Sequence, residues 1–279
     1  MNIPKDKIES NLFLPKSDSR QGEGGLRTKG YFKKSYKDKP LVSIITVVLN
    51  GEEHLNKTLN SVINQTYENL EYIVVDGGST DGTIDNIKKY EDKIDYWVSE
   101  KDNGIYDAMN KGIDLATGEW INFMNVGDEL HNHSILTHIF THHNYQEIKV
   151  IYGNHELIYP GGHPRLVKAG LIKNFWKGEQ FCHQSSFVKT SYLKLYKFNH
   201  CKKIAADFEF YYKSIQNNAK FKFVDLTVAK FITGGVSDVK RINSILERWE
   251  VIEKTLKNNI FYCLLIIKEI LKILVKRFV

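Results

Sequence analysis

Hydrophobic and polar positions alternate between two patterns along the first half of the chain. LVSIITVVL (41–49) is a continuous β-branched run, and LEYIVVD (70–76) repeats it. Such runs predict strands buried on both faces of a parallel sheet. YWVSE (96–100) and EWINFMN (119–125) read as third and fourth strands. Between the strands the apolar period changes. Leu55, Leu59, Val62 and Ile63 predict a helix over 52–65, and Ile105, Ala108, Met109, Gly112 and Leu115 predict one over 104–117. Asp81 is placed to cap a short helix over 82–90. Gly118 is placed to stop the helix before it. Four alternations of strand and helix within one stretch predict βαβ units, hence an α/β fold with a mainly parallel sheet and helices on both faces.

Beyond residue 130 the pattern loosens. A His-rich helix over 132–143, short strands near 148–152 and 155–159, and a Gly161-Gly162 turn predict a small antiparallel extension. HQSSFVK (183–189) is strand-like, and Ile204 to Asn217 is helical. Short strands over 220–224 and 227–232 precede a long helical region from about 240 to the end. Residues 1–39 are polar, contain Gly22, Gly24, Gly25 and Gly30, and read as an extended arm or loop.

Composition narrows the class. The chain has 279 residues, 42% hydrophobic and 26% charged, as in ordinary globular proteins, so disordered, collagen-like and multi-span membrane classes are excluded. The net charge of +6 is unevenly placed. Residues 1–40 carry 10 basic and 5 acidic groups, residues 254–279 carry 6 and 1, and the body between them carries 23 and 27. An acidic body argues against a nucleic-acid groove and no nucleic-acid partner is expected. The basic ends suit an anionic membrane surface. Cys182, Cys201 and Cys263 make neither a disulfide framework nor a zinc site. With no apolar run of signal-peptide length at the N-terminus, a cytoplasmic location is expected.

In parallel sheets, ligands bind beyond the carboxyl ends of the strands. The polar residues there are Asn50, Asp76, Glu100 to Asn103 and Asn125 to Asp128. Asp76, before Gly77-Gly78, suits either a nucleoside contact or simple turn chemistry. Asp128 suits a divalent cation that takes its other oxygens from phosphate and water, or again a turn. His138 and His142 are four apart, but no Glu completes an HExxH, and they read as a solvated helix face. No GxGxxG follows the first strand, which disfavours a nicotinamide dehydrogenase.

These stretches together resemble glycosyltransferase family 2. The resemblance rests on VSIITVVLNGEEHLNKTLNSVINQTYENLEYIVVDGGSTDGT (42–83), SEKDNGIYDAMNKGIDLATGEWINFMNVGD (99–128), CHQSSFV (182–188) and IAADFEF (204–210). It covers roughly residues 40–235. It implies the GT-A (Rossmann-like) fold, with a nucleotide-sugar-binding half over 40–130 and an acceptor-side half over 131–235. It also implies an inverting enzyme of the capsule and exopolysaccharide type, similar to colanic-acid transferases. The implied substrates are a nucleoside-diphosphate sugar and a glycan or lipid-linked glycan acceptor, with Mn2+ or Mg2+ as cofactor.

Roles follow residue by residue from that resemblance. Thr46 and Asn50 lie where the first strand meets the nucleotide. Asp76 matches the nucleoside-reading carboxylate, and Asp107 and Asn110 lie near the diphosphate and sugar. Asn125-Val126-Gly127-Asp128 stands in place of the Asp-x-Asp metal motif, which leaves Asp128 as the anionic metal ligand and Asn125 as a donor-binding residue. Asp207 matches the general base, with Glu209 as the other candidate. His183 and Gln184 are placed to contact phosphate or acceptor. The reduced metal motif also admits an alternative, a non-catalytic nucleotide-sugar-binding or partner subunit.

The ends lie outside the resemblance. Arg27, Lys29, Lys33 and Lys34 in the arm suit either a diphosphate cover or a solvated linker. In the 236–279 tail, Lys268, Lys272 and Lys276 form one helical stripe, and Ile260, Leu264, Ile267, Leu271, Leu274 and Phe278 form another. Its longest apolar run, Ile260 to Ile267, is too short to span about 30 Å of hydrocarbon. A basic amphipathic helix at the inner face of the plasma membrane is expected, with packing on the body or a second subunit as the alternative.

Overall fold

The buried β-branched runs form the centre of the sheet. In the computed structural model, which describes residues 11–141, 145–159, 163–235 and 239–278, they are β2 (Val42–Val48) and β3 (Leu70–Asp76), paired in parallel from Val42–Leu70 to Val48–Asp76. Around them lie β1 (Arg20–Gly24), β4 (Tyr96–Glu100), β5 (Trp120–Phe123), β6 (Glu129–Leu130), β7 (Val150–Ile158), β8 (Arg165–Val167), β9 (Ser186–Lys189) and β10 (Phe221–Ile232). Among the described residues these ten strands make one mixed sheet in the order β1-β4-β3-β2-β5-β9-β7-β10-β6, with β8 on β7. β4, β3, β2 and β5 are mutually parallel. β9 enters antiparallel to β5 and turns the sheet into its second half.

The period of two explains why the central strands are apolar throughout. Ile45 and Val47 of β2 and Ile73 and Val75 of β3 face one core, shared with Met109 and Ile113 of α3 (Ile105–Leu115) and Phe208 of α6 (Ala206–Gln216). Ile44 and Val48, with Tyr72 and Val74, face the other. That core is closed by Leu55 and Leu59 of α1 (Glu52–Ile63), Ile87 of α2 (Thr83–Lys88) and Ile139 of α4 (Ile135–Phe140). α5 (Thr190–Tyr196) follows β9 directly. The C-terminal region is α7 (Arg241–Val251) packed on α8 (Leu256–Phe278).

Several expectations change. The predicted arm is built into the sheet over 20–24, where β1 pairs antiparallel with the edge strand β4. Arg27 behind it is buried and ion-paired to Glu71 at 2.6 Å, and Lys33 reaches Asp95 at 2.8 Å. Both acids lie at the amino ends of β3 and β4, away from the ligand-binding edge, so neither cation covers a diphosphate there. The two predicted strand pairs after residue 145 are each a single strand, β7 and β10. β10 keeps pairing with β7 through two register shifts, which the sequence shows only as a lapse in its period. The His-rich helix is limited to Ile135–Phe140. His138 is exposed on it, while His142, His143 and the Gly161-Gly162 turn lie outside the described residues. The single long tail helix is broken at 252–255 into α7 and α8. The side chains of Lys276 and Phe278 lie outside those described.

Candidate active site

The carboxyl ends of β2, β3, β4 and β5 fall on one edge, and each is held by a polar turn. After β2, Asn50 adopts a left-handed conformation (φ 51°), uncommon for a non-glycine residue. Its Oδ1 accepts from Thr80 N at 2.8 Å, and its own N–H donates to Ser79 Oγ at 2.7 Å. Asp76, fully buried, accepts from Ser99 Oγ at 2.5 Å, Ser79 N at 3.0 Å and Gly78 N at 3.2 Å, and also from Ser79 Oγ. Its carboxylate therefore builds the 76–79 turn and, with four donors on two oxygens, presents no free face. Asp102 packs against Gly77, leaving no room there for a Cβ. Burial raises the Asp102 carboxyl above its ordinary value, with Asp107 and Asp76 adding to the effect and Gly104 N–H and Lys111 opposing it.

The turn after β5 is fixed from α1. Thr58 Oγ1 donates to Asp128 O at 2.8 Å and accepts from Gly127 N at 3.0 Å. Gly127 has φ 94°, open to glycine at little cost. Asp128 is thereby turned inward. Its Oδ2 accepts from Gln184 Nε2 at 2.6 Å and its Oδ1 from Ile232 N at 3.3 Å. Burial pushes its carboxyl up to about 6, against the hydrogen bond from Gln184 and the charge of His183. Two carbonyl oxygens in these residues, Asn125 Oδ1 and Gln184 Oε1, are buried with no hydrogen-bond partner. Leaving them so costs of order 1–3 kcal/mol each.

His183 joins this turn to the acceptor side. Its Nε2 is 3.1 Å from Asn125 Nδ2, and its Nδ1 is 3.1 Å from Asp207 Oδ2. With the Asn125 amide donating to Nε2, the ring proton sits on Nδ1 and points at Asp207. Asp207 lies in the first turn of α6, and its Oδ1 is 3.0 Å from the Tyr106 hydroxyl, whose one proton it shares with Ile204 O at 2.7 Å. Burial pushes the Asp207 carboxyl up, but the hydrogen bond and charge of His183, the Phe208 N–H and Tyr106 outweigh it and hold it below its ordinary value. Burial likewise lowers His183, and the bond to Asp207 with the charges of Asp207, Asp128 and Glu179 leaves it raised. Each partner thus favours the charged form of the other. A charged ring needs an acceptor at Nε2, and a turn of the Asn125 amide supplies its orphaned Oδ1.

Four sequence candidates remain. Thr46 is buried inside β2, bonded to Tyr72 and Met124 O, and does not reach the edge. Asn110 spends both amide atoms on the Phe198 backbone, at 2.8 and 2.9 Å, and so holds the acceptor-side loop to α3. Asp107 is half-buried on the same helix and accepts from Asn103 N at 3.0 Å. Glu209 bonds Lys213 and Asn199 and is turned away from His183. α3 thus spans the site, Asp107 toward the β4 turn and Tyr106 toward Asp207. Sequence reading missed Tyr106, visible only as one aromatic in GIYDAMNKG. It also missed Glu179, which is open to solvent while its carboxyl is raised by the surrounding protein and the Asp207 charge, with Arg248, His183 and Arg241 opposing. The Arg248 guanidinium is buried beside Gly178, with Nε donating to Ser244 O at 3.2 Å.

The strand-end edge carries Asn50 and Asn125–Asp128, and His183 links it to Asp207 at the start of α6. The chain belongs to glycosyl transferase family 2, whose model matches residues 43–205, and it is a glycosyltransferase with a GT-A-like fold. It is 28% identical over 216 residues to a PGL/p-HBAD biosynthesis glycosyltransferase of Mycobacterium bovis (strain BCG / Pasteur 1173P2), covering 75% of this chain and 84% of that one. It is 32% identical over 184 residues to an uncharacterized glycosyltransferase of Mycobacterium tuberculosis (strain CDC 1551 / Oshkosh), covering 61% and 67%. Among solved structures, S. aureus TarS 1-349 in complex with UDP-GlcNAc superposes with a TM-score of 0.60 at 19% identity, covering 75% of this chain and 64% of that one. The chain therefore spans under two thirds of TarS 1-349. The mannosyltransferase PcManGT of Pyrobaculum calidifontis, in complex with GDP-Man and Mn2+, superposes with a TM-score of 0.59 at 17% identity, covering 81% and 69%.

Proposed function

We propose that the enzyme moves a sugar from a nucleoside-diphosphate sugar to a hydroxyl of a glycan acceptor, with inversion, in surface polysaccharide assembly of the capsule or exopolysaccharide type. The observation that carries this reading is the Asp207 carboxylate, kept ionised by His183 and Tyr106 beside the strand-end turn of Asn125 to Asp128. The complexes of TarS with UDP-GlcNAc and of PcManGT with GDP-Man support the donor class.

The residues around Asp128 fit a divalent cation that draws most of its oxygens from the substrate. Among the described residues no cluster of three or more His, Cys, Asp or Glu is found. One carboxylate and the orphaned amide oxygen of Gln184 are nevertheless hard donors of the kind Mg2+ and Mn2+ take. When bound, such an ion offsets the charge growing on the departing diphosphate. Asp207 takes the proton of the attacking hydroxyl. His183 and Tyr106 orient that carboxylate. The single base acting opposite the leaving group makes the transfer a one-step displacement with inversion.

A thermal-shift panel of UDP- and GDP-sugars with and without Mn2+ or Mg2+, followed by NMR of any product, tests this. A cation-dependent shift with one donor and a product of inverted anomeric configuration are expected. No shift with any donor, or retention at the anomeric centre, overturns the reading.

The acceptor in this reading is lipid-linked, and α8 brings the enzyme to an anionic membrane surface at the inner face of the plasma membrane. No helix among the described residues is long and apolar enough to cross a membrane. α8 instead exposes Leu264, Ile267, Leu271 and Val275 beside Lys268 and Lys272. Together with Lys240 and Arg241 of the adjoining α7 segment, these line a groove of about 1030 Å³. Truncation after residue 255 is expected to abolish flotation with vesicles containing anionic lipid. Equal flotation of the truncated and full-length proteins sinks the membrane assignment.

A further inference from the structure

The turn that delivers Asp207 is not held by its own residues. α6 begins after Ala205, which has no side chain able to cap a helix, and no side-chain cap bond is present. Glu247 of α7 instead anchors the segment that enters α6, from another part of the chain. Its Oε2 accepts from Ile204 N and Ala205 N, each at 3.0 Å, and its Oε1 from Lys203 N at 3.2 Å. One carboxylate thus gathers three consecutive N–H groups immediately before the helix that carries the base. The same turn is tied from the other side by Tyr106, whose hydroxyl donates toward Ile204 O at 2.7 Å and lies 3.0 Å from Asp207 Oδ1. One turn further along α7, Glu250 pairs with Lys202, at the exposed end of the same contact.

We propose that Glu247 is a positioning residue for the reaction, setting the place and direction of Asp207 by anchoring the segment that enters α6. This rests on the reading of Asp207 as general base. Glu247 lies outside residues 43–205, the stretch matched by the family model, so the C-terminal helices complete the site as well as extending from it. The physical reason is leverage. Asp207 is two residues past the anchored Ala205, and a shift of about 1 Å in a reacting group costs about 100-fold in rate. Removal of the anchor frees the N–H groups of 203–205 and lets the entry to α6 shift.

The test is steady-state kinetics with a competent donor and acceptor, and direct titration of UDP or GDP. In Glu247→Ala, kcat is expected to fall about 10- to 100-fold, while nucleotide affinity and donor KM stay within about twofold. The acid limb of kcat is expected to move to higher pH, because Asp207 moves away from the bonds that hold it acidic. Glu247→Gln keeps an acceptor oxygen at the same reach and is expected to recover most of kcat. Glu247→Asp, one methylene shorter, is not. Glu250→Gln, which removes only the exposed pair, is expected to leave kcat unchanged.

Should Glu247→Ala fail to fold, the Gln and Asp variants carry the comparison. An unchanged kcat and acid limb in Glu247→Ala and Glu247→Asp overturns the proposal. So does an equal loss of kcat and nucleotide affinity that the Gln variant does not restore. Failure of the wild-type protein to bind or turn over any nucleotide sugar overturns the functional reading instead.

Discussion

Asp207→Asn is expected to lower kcat between about 100-fold and 10,000-fold, the range a positioned general base contributes, with donor affinity unchanged within about twofold. The substitution preserves shape. The amide oxygen still accepts from Tyr106, and His183 stays in place beside it. What is lost is the negative charge and the ability to take a proton. The charge of Asp207 also holds His183 above its ordinary value, so the ring in the variant titrates at lower pH than in the wild type. Because Asp207 is held below the usual aspartate range, the wild-type kcat has no limb from this group near neutrality. Its loss on acidification lies below the ordinary aspartate range. Near-normal turnover of Asp207→Asn removes it as the base and turns attention to Glu179, whose carboxyl the Asp207 charge raises.

Asp128→Asn is expected to act in opposite directions on stability and on donor binding. The folded protein raises this carboxyl from 3.8 to about 6 through burial. Between about pH 4 and pH 6 the folded state therefore binds more protons than the unfolded state, and stability falls as pH rises through that window. At pH 7 the cost is up to about 3 kcal/mol, at about 1.4 kcal/mol for each pH unit that the window spans. An amide carries no such cost. Its NH2 meets the turned amide of Gln184, whose Oε1 is buried without a partner, and its oxygen retains Ile232 N. Melts without divalent cation are expected to show Asp128→Asn more stable than wild type by several degrees at pH 7 and equal to it near pH 4. Titrations of donor with Mn2+ or Mg2+ are expected to show affinity reduced at least tenfold. A variant that melts earlier at pH 7, or that keeps cation-dependent donor binding, removes Asp128 from this role.

The central sheet was legible because β2 and β3 are buried on both faces, which leaves no polar interruption to mislead a reading of period. The strand-end turns were legible for a related reason: Asn50, Asp76 and Asn125–Asp128 follow those runs directly. Pattern reading lost two kinds of information. Thr46 and Asn110 carry polar groups whose partners, Met124 O and the Phe198 backbone, are 78 and 88 residues away. Nothing local separates such an internally satisfied group from a ligand contact. Tyr106 and Glu247 were missed for the converse reason. Each acts on the 203–207 turn from about 100 and 40 residues away, so neither makes a motif with Asp207 in the sequence. The paired strands after residue 145 failed on local grounds, since β10 bends through irregular register and breaks the alternation that would have marked it as one.

The short N-terminal strand fixes where the folding unit begins. The family model starts at residue 43, yet β1 occupies the outer rim of β4, and Arg27 neutralises Glu71, an acid with 2% of its side chain exposed. Trimming the gene to the recognised family would bare a row of unpaired amides on β4, a template for intermolecular pairing. It would also strand a buried anion, at about 3–5 kcal/mol. Insolubility of a fragment so trimmed would therefore reflect a missing piece of sheet rather than an inherently insoluble catalytic core.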